Sequence, residues 1–462
     1  MQAFFTGLQS ILSALGATVV LPIIIFLLGL ILGAKPGRAF RSGVTIGVAF
    51  VGINLVIGLM WTNLSNTAQA IVQRTGASLS VVDVGWPSAA AIAFASTVGT
   101  YIIPIAIVVN IIMLALNATK TLNVDVWNFW HFAFTGAMVV AATGNLVLGL
   151  AAAAVNAAIV LFLADWTAPG IQKFFGMPGL SIPHGFSAAY VPVAIPLNWV
   201  LNKIPGLKDL EADPEAIQKR LGVIGEPVIL GLVIGLVLGL IAFFDPANLK
   251  DTIVKTLQTG INLSAVMLLL PRMVGILMEG LLPLSDAARE FMQKRYAGRE
   301  IYVGLDSAIL IGHSAAIAAS LVLVPITILL AVILPGNKVL PFADLAVIPF
   351  MVCMIAPITR GNVVRMIIIG AIVIAVGFYI GTAMSPLFTT AAIDAKFSMP
   401  AGASQISSIC DGMNFLTFVM LTAARMLSFF GVLILLAILV VVFMLYKRNA
   451  KAWEVAAGGP EE

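Results

Sequence analysis

Long stretches without a single Asp, Glu, Lys or Arg recur along this chain, at residues 1–34, 42–73, 126–164, 227–244, 366–393 and 426–446. A hydrocarbon core of roughly 30 Å is crossed by about 20 apolar residues in helical form, so each stretch can hold at least one span. Hydrophobic residues make up 60% of the 462 and charged residues only 10%, with a mean hydropathy of +1.07. A soluble domain cannot hide that much apolar surface behind so few charges. The expected fold class is therefore an all-α polytopic membrane protein. No basic segment precedes the first window and no small-residue cleavage site clearly follows it, so it reads as a retained helix rather than a signal peptide.

A net charge of +4 and a pI near 9.1 raise the question of nucleic acid. The positions of the basic residues answer it, because they sit at the ends of apolar windows and in short loops. Cys353 and Cys410 stand apart with no CxxC, and Cys353 lies deep in an apolar run. Neither a metal site nor a structural disulfide is indicated, and no cofactor is implied.

Eleven spans are expected, near 11–33, 42–62, 101–117, 127–145, 146–165, 226–245, 256–276, 317–335, 341–358, 363–384 and 427–446. Apolar segments near 86–99 and 305–316 are too short and too broken to cross. Lys and Arg accumulate in cytoplasmic loops, and they cluster at Lys35–Arg41, Lys173–Arg220, Arg289–Arg299, Arg360–Arg365 and Lys447–Lys451. All five clusters fall on one side if the N-terminus is outside, the C-terminus is cytoplasmic and the two short segments are re-entrant.

The chain also repeats itself. "VGWPSAAAIAFA" from Val84 matches "VGLDSAILIGHS" from Val303, "PIAIVVNIIML" from Pro104 resembles "PITILLAVILP" from Pro325, and "SIPHGFS" from Ser181 matches "SMPAGAS" from Ser398, all at offsets of 217 to 221 residues. An odd number of spans per half turns the second half upside down. Inverted repeats with interrupted helices at matching places are the signature of secondary-transporter architecture, with substrate held near the midplane. The expected organisation is a first inverted repeat over 1–165 with a re-entrant hairpin near 85–100, and a cytoplasmic polar segment over 166–224. A second repeat follows over 225–384 with a hairpin near 304–316, and then residues 385–462 carry a polar segment, the last span and a cytoplasmic tail. Within the central polar segment "DPEAIQKRLG" reads as a surface helix, capped by Asp213, begun by Pro214 and ended by Gly222. It lies at the membrane face, alone or as a docking surface for a cytoplasmic partner.

"VGLDSAILIGHSA", Val303 to Ala315, places a carboxylate and an imidazole seven residues apart in a stretch otherwise suited to lipid. Non-helical backbone survives at membrane depth only where protein or water satisfies it, and a broken helix end there offers free N–H groups to a polar ligand. Asp306 stands where a helix N-cap falls, yet a carboxylate inside a membrane is costly and usually functional. Helical spacing would put His313 two turns on, about 10 Å away on the same face, as a ligand contact or as a packing histidine. In "WNFWHFAFTG" Asn128, His131 and Thr135 fall on one helical face, flanked by Trp127 and Trp130 in the manner of an interfacial belt. "SIPHGFS" adds His184, Gly185 and Ser187 in a kinked segment. Neutral hydrogen-bonding groups, rings and one or two carboxylates suit a polyhydroxylated solute. The lack of basic residues at depth disfavours a phosphorylated or anionic one.

"VVDVGWPSAA", "NVDVWNFWHFAFTGA", "SIPHGFSA", "GEPV" at Gly225, "YVGLDSAILIGHSA" and "LPGNKVLPFADLA" together resemble the galactitol-type sugar permeases, the EIIC component, of the bacterial phosphotransferase system, within the ascorbate–galactitol superfamily. The resemblance runs from about residue 15 to the C-terminus. It implies a homodimer in the bacterial inner membrane, with spans 1, 2, 6 and 7 as a dimer-forming scaffold. It implies a transport core with hairpins near 85–100 and 304–316 that shifts as an elevator. It implies His131, His184 and Asp306 as contacts to a hexitol such as galactitol, with Ser88, Ser307 and Glu226 beside them. It also implies a cytoplasmic EIIB, fed by EIIA, whose phosphocysteine phosphorylates the sugar. No phosphorylation loop exists in this chain, so the donor must be another polypeptide and the chain itself is a permease subunit rather than an enzyme. "SMPAGAS" has alanine where the first half has His184, and "CDGMNF" from Cys410 departs from the expected galactitol pattern. The competing function is an ion-coupled alditol symporter with Asp306 as the ion site. An intramembrane enzyme finds no support, since neither HExxH nor GxSxG with a partner base is present.

Overall fold

A computed structural model describes residues 17–75, 79–208, 210, 212–221, 226–295, 300–341, 343–400 and 403–461. The start of the 11–33 window, Gly222, Gly225, Arg299 and the 401–402 pair of "SMPAGAS" lie outside them. In chain order the elements are α1 (Ala17–Ile31), α2 (Pro36–Thr75), β1 (Val81–Asp83), α3 (Gly85–Ala95), α4 (Gly99–Ala115), β2 (Thr121–Asn123), α5 (Trp130–Thr143), α6 (Leu146–Phe175), β3 (Leu180–Ser181) and α7 (Val191–Leu201). They continue with α8 (Pro214–Leu221), α9 (Pro227–Phe243), α10 (Leu249–Arg295), β4 (Tyr302–Gly304), α11 (Ser314–Ile333), β5 (Val339–Leu340), α12 (Ile348–Val352), α13 (Ile355–Ile358), α14 (Val363–Asp394), β6 (Gln405–Ser407), α15 (Phe415–Leu427), α16 (Phe429–Arg448) and α17 (Ala450–Ala456).

Among the described residues six helices are long and apolar enough to cross a membrane: Pro36–Met60, Leu146–Phe175, Leu249–Leu277, Ser314–Ile333, Val363–Asp394 and Phe429–Arg448. A seventh is added if α3 and α4, bent by 89° at their junction, count as one. Two of the eleven expected spans are not continuous helices. The 127–145 window holds only the 14 residues of α5 after a 3-10 turn at Val126–Phe129. The 341–358 window breaks into a 3-10 turn and the two short helices α12 and α13. Pro357 explains the break before α13, since it removes a helix donor and crowds the preceding turn, while Pro349 sits in the first turn of α12, where proline favours a helix start. An apolar run shows hydropathy but hides this punctuation.

The segment near 85–100, expected to be re-entrant, is the bent α3–α4 pair. Ser96 turns the corner, its hydroxyl donating to Ala93 O at 2.6 Å and accepting from Gly99 N at 3.1 Å. A Cβ at Gly99 would lie 2.3 Å from Ala93 O, so only glycine fits. The segment near 304–316 is built differently. Ser307–Ile309 form a 3-10 turn, and α11 starts afresh at Ser314 with His313 as its cap. Asp306 and His313 therefore do not share one helix face.

Helices α1, α2, α9 and α10 pack chiefly on one another, and the remaining long helices gather around α5, α6 and α14. Two small parallel sheets, ordered β5-β1-β6 and β2-β4-β3, pack against α4, α6, α11 and α14 of the second group. Val81 pairs with Val339 on one side and Gln405 on the other, and Gly304 pairs with Asn123 and Ser181. Each sheet thus takes its central strand from one half of the chain and its outer strands from the other. In a membrane interior such ladders satisfy extended backbone that lipid would leave orphaned.

Residues 180–201, which the sequence places in a polar segment, are built into the body. Ile182, Phe186, Ala188, Tyr190, Val191 and Ala194 are buried. The following turn is held by Arg365, whose Nη2 donates to Leu207 O at 2.7 Å and Lys208 O at 2.8 Å, and by Asn362, which donates to Leu210 O.

Candidate functional site

The strands of each sheet run parallel, so their C-terminal ends face one way, and the residues just past those ends close around a cavity of about 270 Å³. Trp86 follows β1. Trp127, Asn128, Trp130 and His131 follow β2, and His184 and Phe186 follow β3. Asp306 and Ala308 follow β4, Val347 and Phe350 follow β5, and Cys410 follows β6. Ligands in open α/β sheets favour the same place, beyond the carboxyl ends of parallel strands. Phe50, Asn54 and Ile57 of α2 form the remaining wall. The volume lies near the lower end of the roughly 300–1,000 Å³ of small-molecule clefts, which suits a compact solute. No Lys or Arg lines it among the described residues.

Two imidazole–carboxylate pairs are built into its wall, with Asp411 behind the lining residues, and each joins one half of the chain to the other. His131 Nδ1 lies 2.6 Å from Asp411 Oδ2, both side chains fully enclosed. A carboxylate oxygen accepts here, so Nδ1 is the donor of the pair. Nε2 is buried without a partner, as is the neighbouring Trp130 Nε1. Asn414 Nδ2 donates to Asp411 Oδ1 at 3.0 Å and to Gly185 O at 3.1 Å, while its Oδ1 caps α15 through Leu416 N and Thr417 N. In the second pair, His184 Nδ1 accepts from Ser187 N at 3.2 Å, which leaves the proton on Nε2. That Nε2 faces Asp306 Oδ1 at 3.6 Å, just beyond hydrogen-bond range. Asp306 Oδ1 also accepts Ala308 N at 2.8 Å. The two imidazoles touch, with centroids 4.6 Å apart, and Trp130 packs on His131 at 4.0 Å.

Of the residues singled out from sequence, His131, His184, Asp306 and Asn128 line the cavity together. Asn128 donates to Asp125 Oδ2 at 2.8 Å. Ser307 sits one layer behind, receiving a hydrogen bond from Ser187 Oγ at 2.7 Å. Gly185 is a contact of a different kind, since a Cβ there would lie 2.6 Å from His131 Cβ. It is the glycine that lets the two imidazoles meet. Thr135 ties helices together through Thr417 Oγ1 at 2.8 Å and Asn156 Nδ2 at 2.7 Å. Ser88, Glu226 and His313 are not among the lining residues. His313 accepts Ala315 N through Nδ1 at 3.2 Å and packs against Phe174 at 4.6 Å, which is a cap with an aromatic neighbour. Trp127 and Trp130, which sequence position suggests as a belt, face the cavity instead.

Asp411 is the polar group that sequence reading passed over. A signal existed. Ile182–Pro–His–Gly185 follows β3 as Ile409–Cys–Asp–Gly412 follows β6, so Asp411, not the alanine of "SMPAGAS", stands where His184 does. The offset of 227 residues lay outside the 217 to 221 of the other matches. The ligating atoms of His131, Cys410 and Asp411 lie within 4.8 Å of one another. At 2.6 Å, however, His131 and Asp411 are closer than the ~3 Å separating two ligands bound at about 2.0–2.2 Å to one zinc, so this is a hydrogen-bonded pair.

Long apolar helices, broken segments and a largely apolar cavity carrying a few polar groups define a multi-pass membrane permease. The model of the EIIC-GAT family, the phosphotransferase-system (PTS) sugar-specific permease component, matches residues 10–402, and the chain belongs to that family. It is 40% identical over 445 residues to the "PTS system galactitol-specific EIIC component" of Escherichia coli (strain K12), covering 96% of this chain and 97% of that one. It is 43% identical over 405 residues to the "Putative permease IIC component" of the same strain, covering 87% and 90%.

Proposed function

We propose that this permease binds a hexitol such as galactitol in the cavity between the two sheets and delivers it to a cytoplasmic EIIB, charged by EIIA, for phosphorylation. The observation that carries the reading is the cavity's chemistry: His131, His184, Asp306 and Asn128 offer hydrogen bonds to hydroxyls, tryptophan and phenylalanine rings cover C–H faces, and among the described residues no Lys or Arg lines it to hold an anion. The galactitol specificity in the relative's name supports the hexitol. The exchange of strands between the halves supports two inverted repeats, and the separate packing of α1, α2, α9 and α10 supports a dimer-forming scaffold. The core would then carry the cavity past α2 in an elevator movement.

The purified protein in liposomes is expected to bind galactitol and to form no sugar phosphate by itself. It supplies neither a P-loop nor an activated cysteine as donor. Addition of phosphorylated EIIB should release the phosphorylated hexitol on the side bearing Lys203 and Lys208. Concentrative uptake driven by a proton or sodium gradient without EIIB would overturn this in favour of a symporter.

The proposed orientation is N-terminus out and C-terminus in, within the inner membrane. Arg365 holds the Leu207–Lys208 turn, and Arg360 pairs with Glu461 of the tail, so three basic clusters share one face, as a cytoplasmic assignment requires. A cysteine introduced at exposed Lys203 should react with an impermeant maleimide only after the cells are opened. Reaction in intact cells would reverse the topology.

A further inference from the structure

We propose that Asp411 is a positioning residue for phosphoryl transfer: it holds His131 in the tautomer whose Nε2 accepts the proton of the hexitol hydroxyl that becomes phosphorylated. The inference rests on the EIIB-coupled reading above and gives that site a chemical role. The geometry has three parts. His131 Nδ1 and Asp411 Oδ2 are 2.6 Å apart, at the short end for a charge-assisted hydrogen bond. Asp411 is itself held by Asn414 Nδ2 at 3.0 Å, and Asn414 is locked as the cap of α15. His131 Nε2 is buried without a protein partner in a side chain that lines the cavity. A neutral imidazole fixed at one nitrogen by a carboxylate, with its other nitrogen free of protein partners beside the cavity, is the arrangement of a general base once a small ring movement brings that nitrogen to a hydroxyl.

The step balances. The hexitol hydroxyl oxygen attacks phosphorus of the phosphocysteine on EIIB. The oxygen–phosphorus bond forms as the phosphorus–sulfur bond breaks, and sulfur leaves as thiolate. The hydroxyl proton passes to His131 Nε2, and the resulting imidazolium is stabilised by Asp411. His184 does not offer this service, because its Nδ1 is occupied by Ser187 N and its Nε2 proton faces Asp306. The His131–His184 contact instead places a donor beside the base.

The test uses the reconstituted full chain, galactitol and phosphorylated EIIB, with hexitol binding and single-turnover transfer measured separately. Asp411→Asn preserves the shape and the contact to Asn414. It should leave galactitol affinity within about threefold while slowing transfer by about a hundredfold or more. His131→Gln removes a cavity-lining side chain as well, so it should weaken binding by up to about tenfold while still slowing transfer by about a hundredfold or more, and the double variant should transfer no more slowly than His131→Gln alone, because the two groups act as a unit. The chain has three histidines, so NMR of isotope-labelled imidazoles can follow His131 directly. Asp411→Asn, with its amide oxygen kept on Asn414, turns its NH2 to His131 Nδ1 and should shift the ring to the Nε2–H form, where the native protein shows the Nδ1–H form. Should Asp411→Asn not fold, His131→Gln carries the kinetic test. Normal transfer in either folded variant, or equal losses in affinity and transfer, would overturn the proposal. Failure of the native protein to form sugar phosphate with EIIB would instead sink the functional reading beneath it.

Discussion

Asp306→Asn is expected to weaken galactitol binding by about ten- to a hundred-fold while the protein stays folded. Asparagine can keep the hydrogen bond from Ala308 N, now 2.8 Å from Asp306 Oδ1, so the cap of the 3-10 turn survives. What it loses is a charged acceptor. A hydrogen bond to a charged group contributes roughly 1.5–3 kcal/mol, which is about ten- to a hundred-fold in affinity. The side chain is 15% exposed and lines the cavity opposite His184, so a hydroxyl placed there would meet the carboxylate directly. Calorimetric titration of the purified variant checks this. Native affinity would leave Asp306 with its capping role alone.

Gly185→Ala is expected to damage both fold and site. The added Cβ would lie 2.6 Å from His131 Cβ and 3.1 Å from its Cγ. Neither atom is the free end of a flexible chain, because α5 fixes the first and the ring fixes the second. The imidazole has no room to retreat, with Trp130 packed at 4.0 Å and Asp411 at 2.6 Å. Overpacking of this kind costs about 1–3 kcal/mol, and a shift near 1 Å at a binding group can cost about a hundredfold. Lower thermal stability in detergent together with galactitol binding weakened more than about tenfold is the expected result. An unchanged melting temperature and affinity would show that Gly185 is dispensable.

Much of the site was legible in the sequence because polar groups inside an apolar window are conspicuous. His131, Asn128 and Asp306 each interrupt a run of aliphatic residues, and all three line the cavity. His184 was found through its kinked segment. His313 met the same test and does not line the cavity, since polarity in an apolar run also marks a cap. Sequence spacing misplaced it because the turn at Leu310–Gly312 breaks the helix that the spacing assumed. Asp411 was missed for the opposite reason: it lies among serines, a glutamine and an asparagine, where a carboxylate does not interrupt an apolar run.

The sequence by itself determined that the chain is helical, apolar enough to span a membrane several times, and related to sugar permeases. The first two properties follow from composition and local pattern, which act over neighbouring residues, and the third rests on the resemblance of its motifs to that family. Only the tertiary structure decided which of the polar residues share a site. Six strands of two or three residues each carry no periodicity that a sequence can display, yet their pairing across the two halves brings His131 to Asp411 and His184 to Asp306. Such short strands are stable only when paired, because in an apolar interior an unpaired peptide group has no water to turn to. The contacts that define the site span 280 residues in one pair, a separation that local propensity cannot encode.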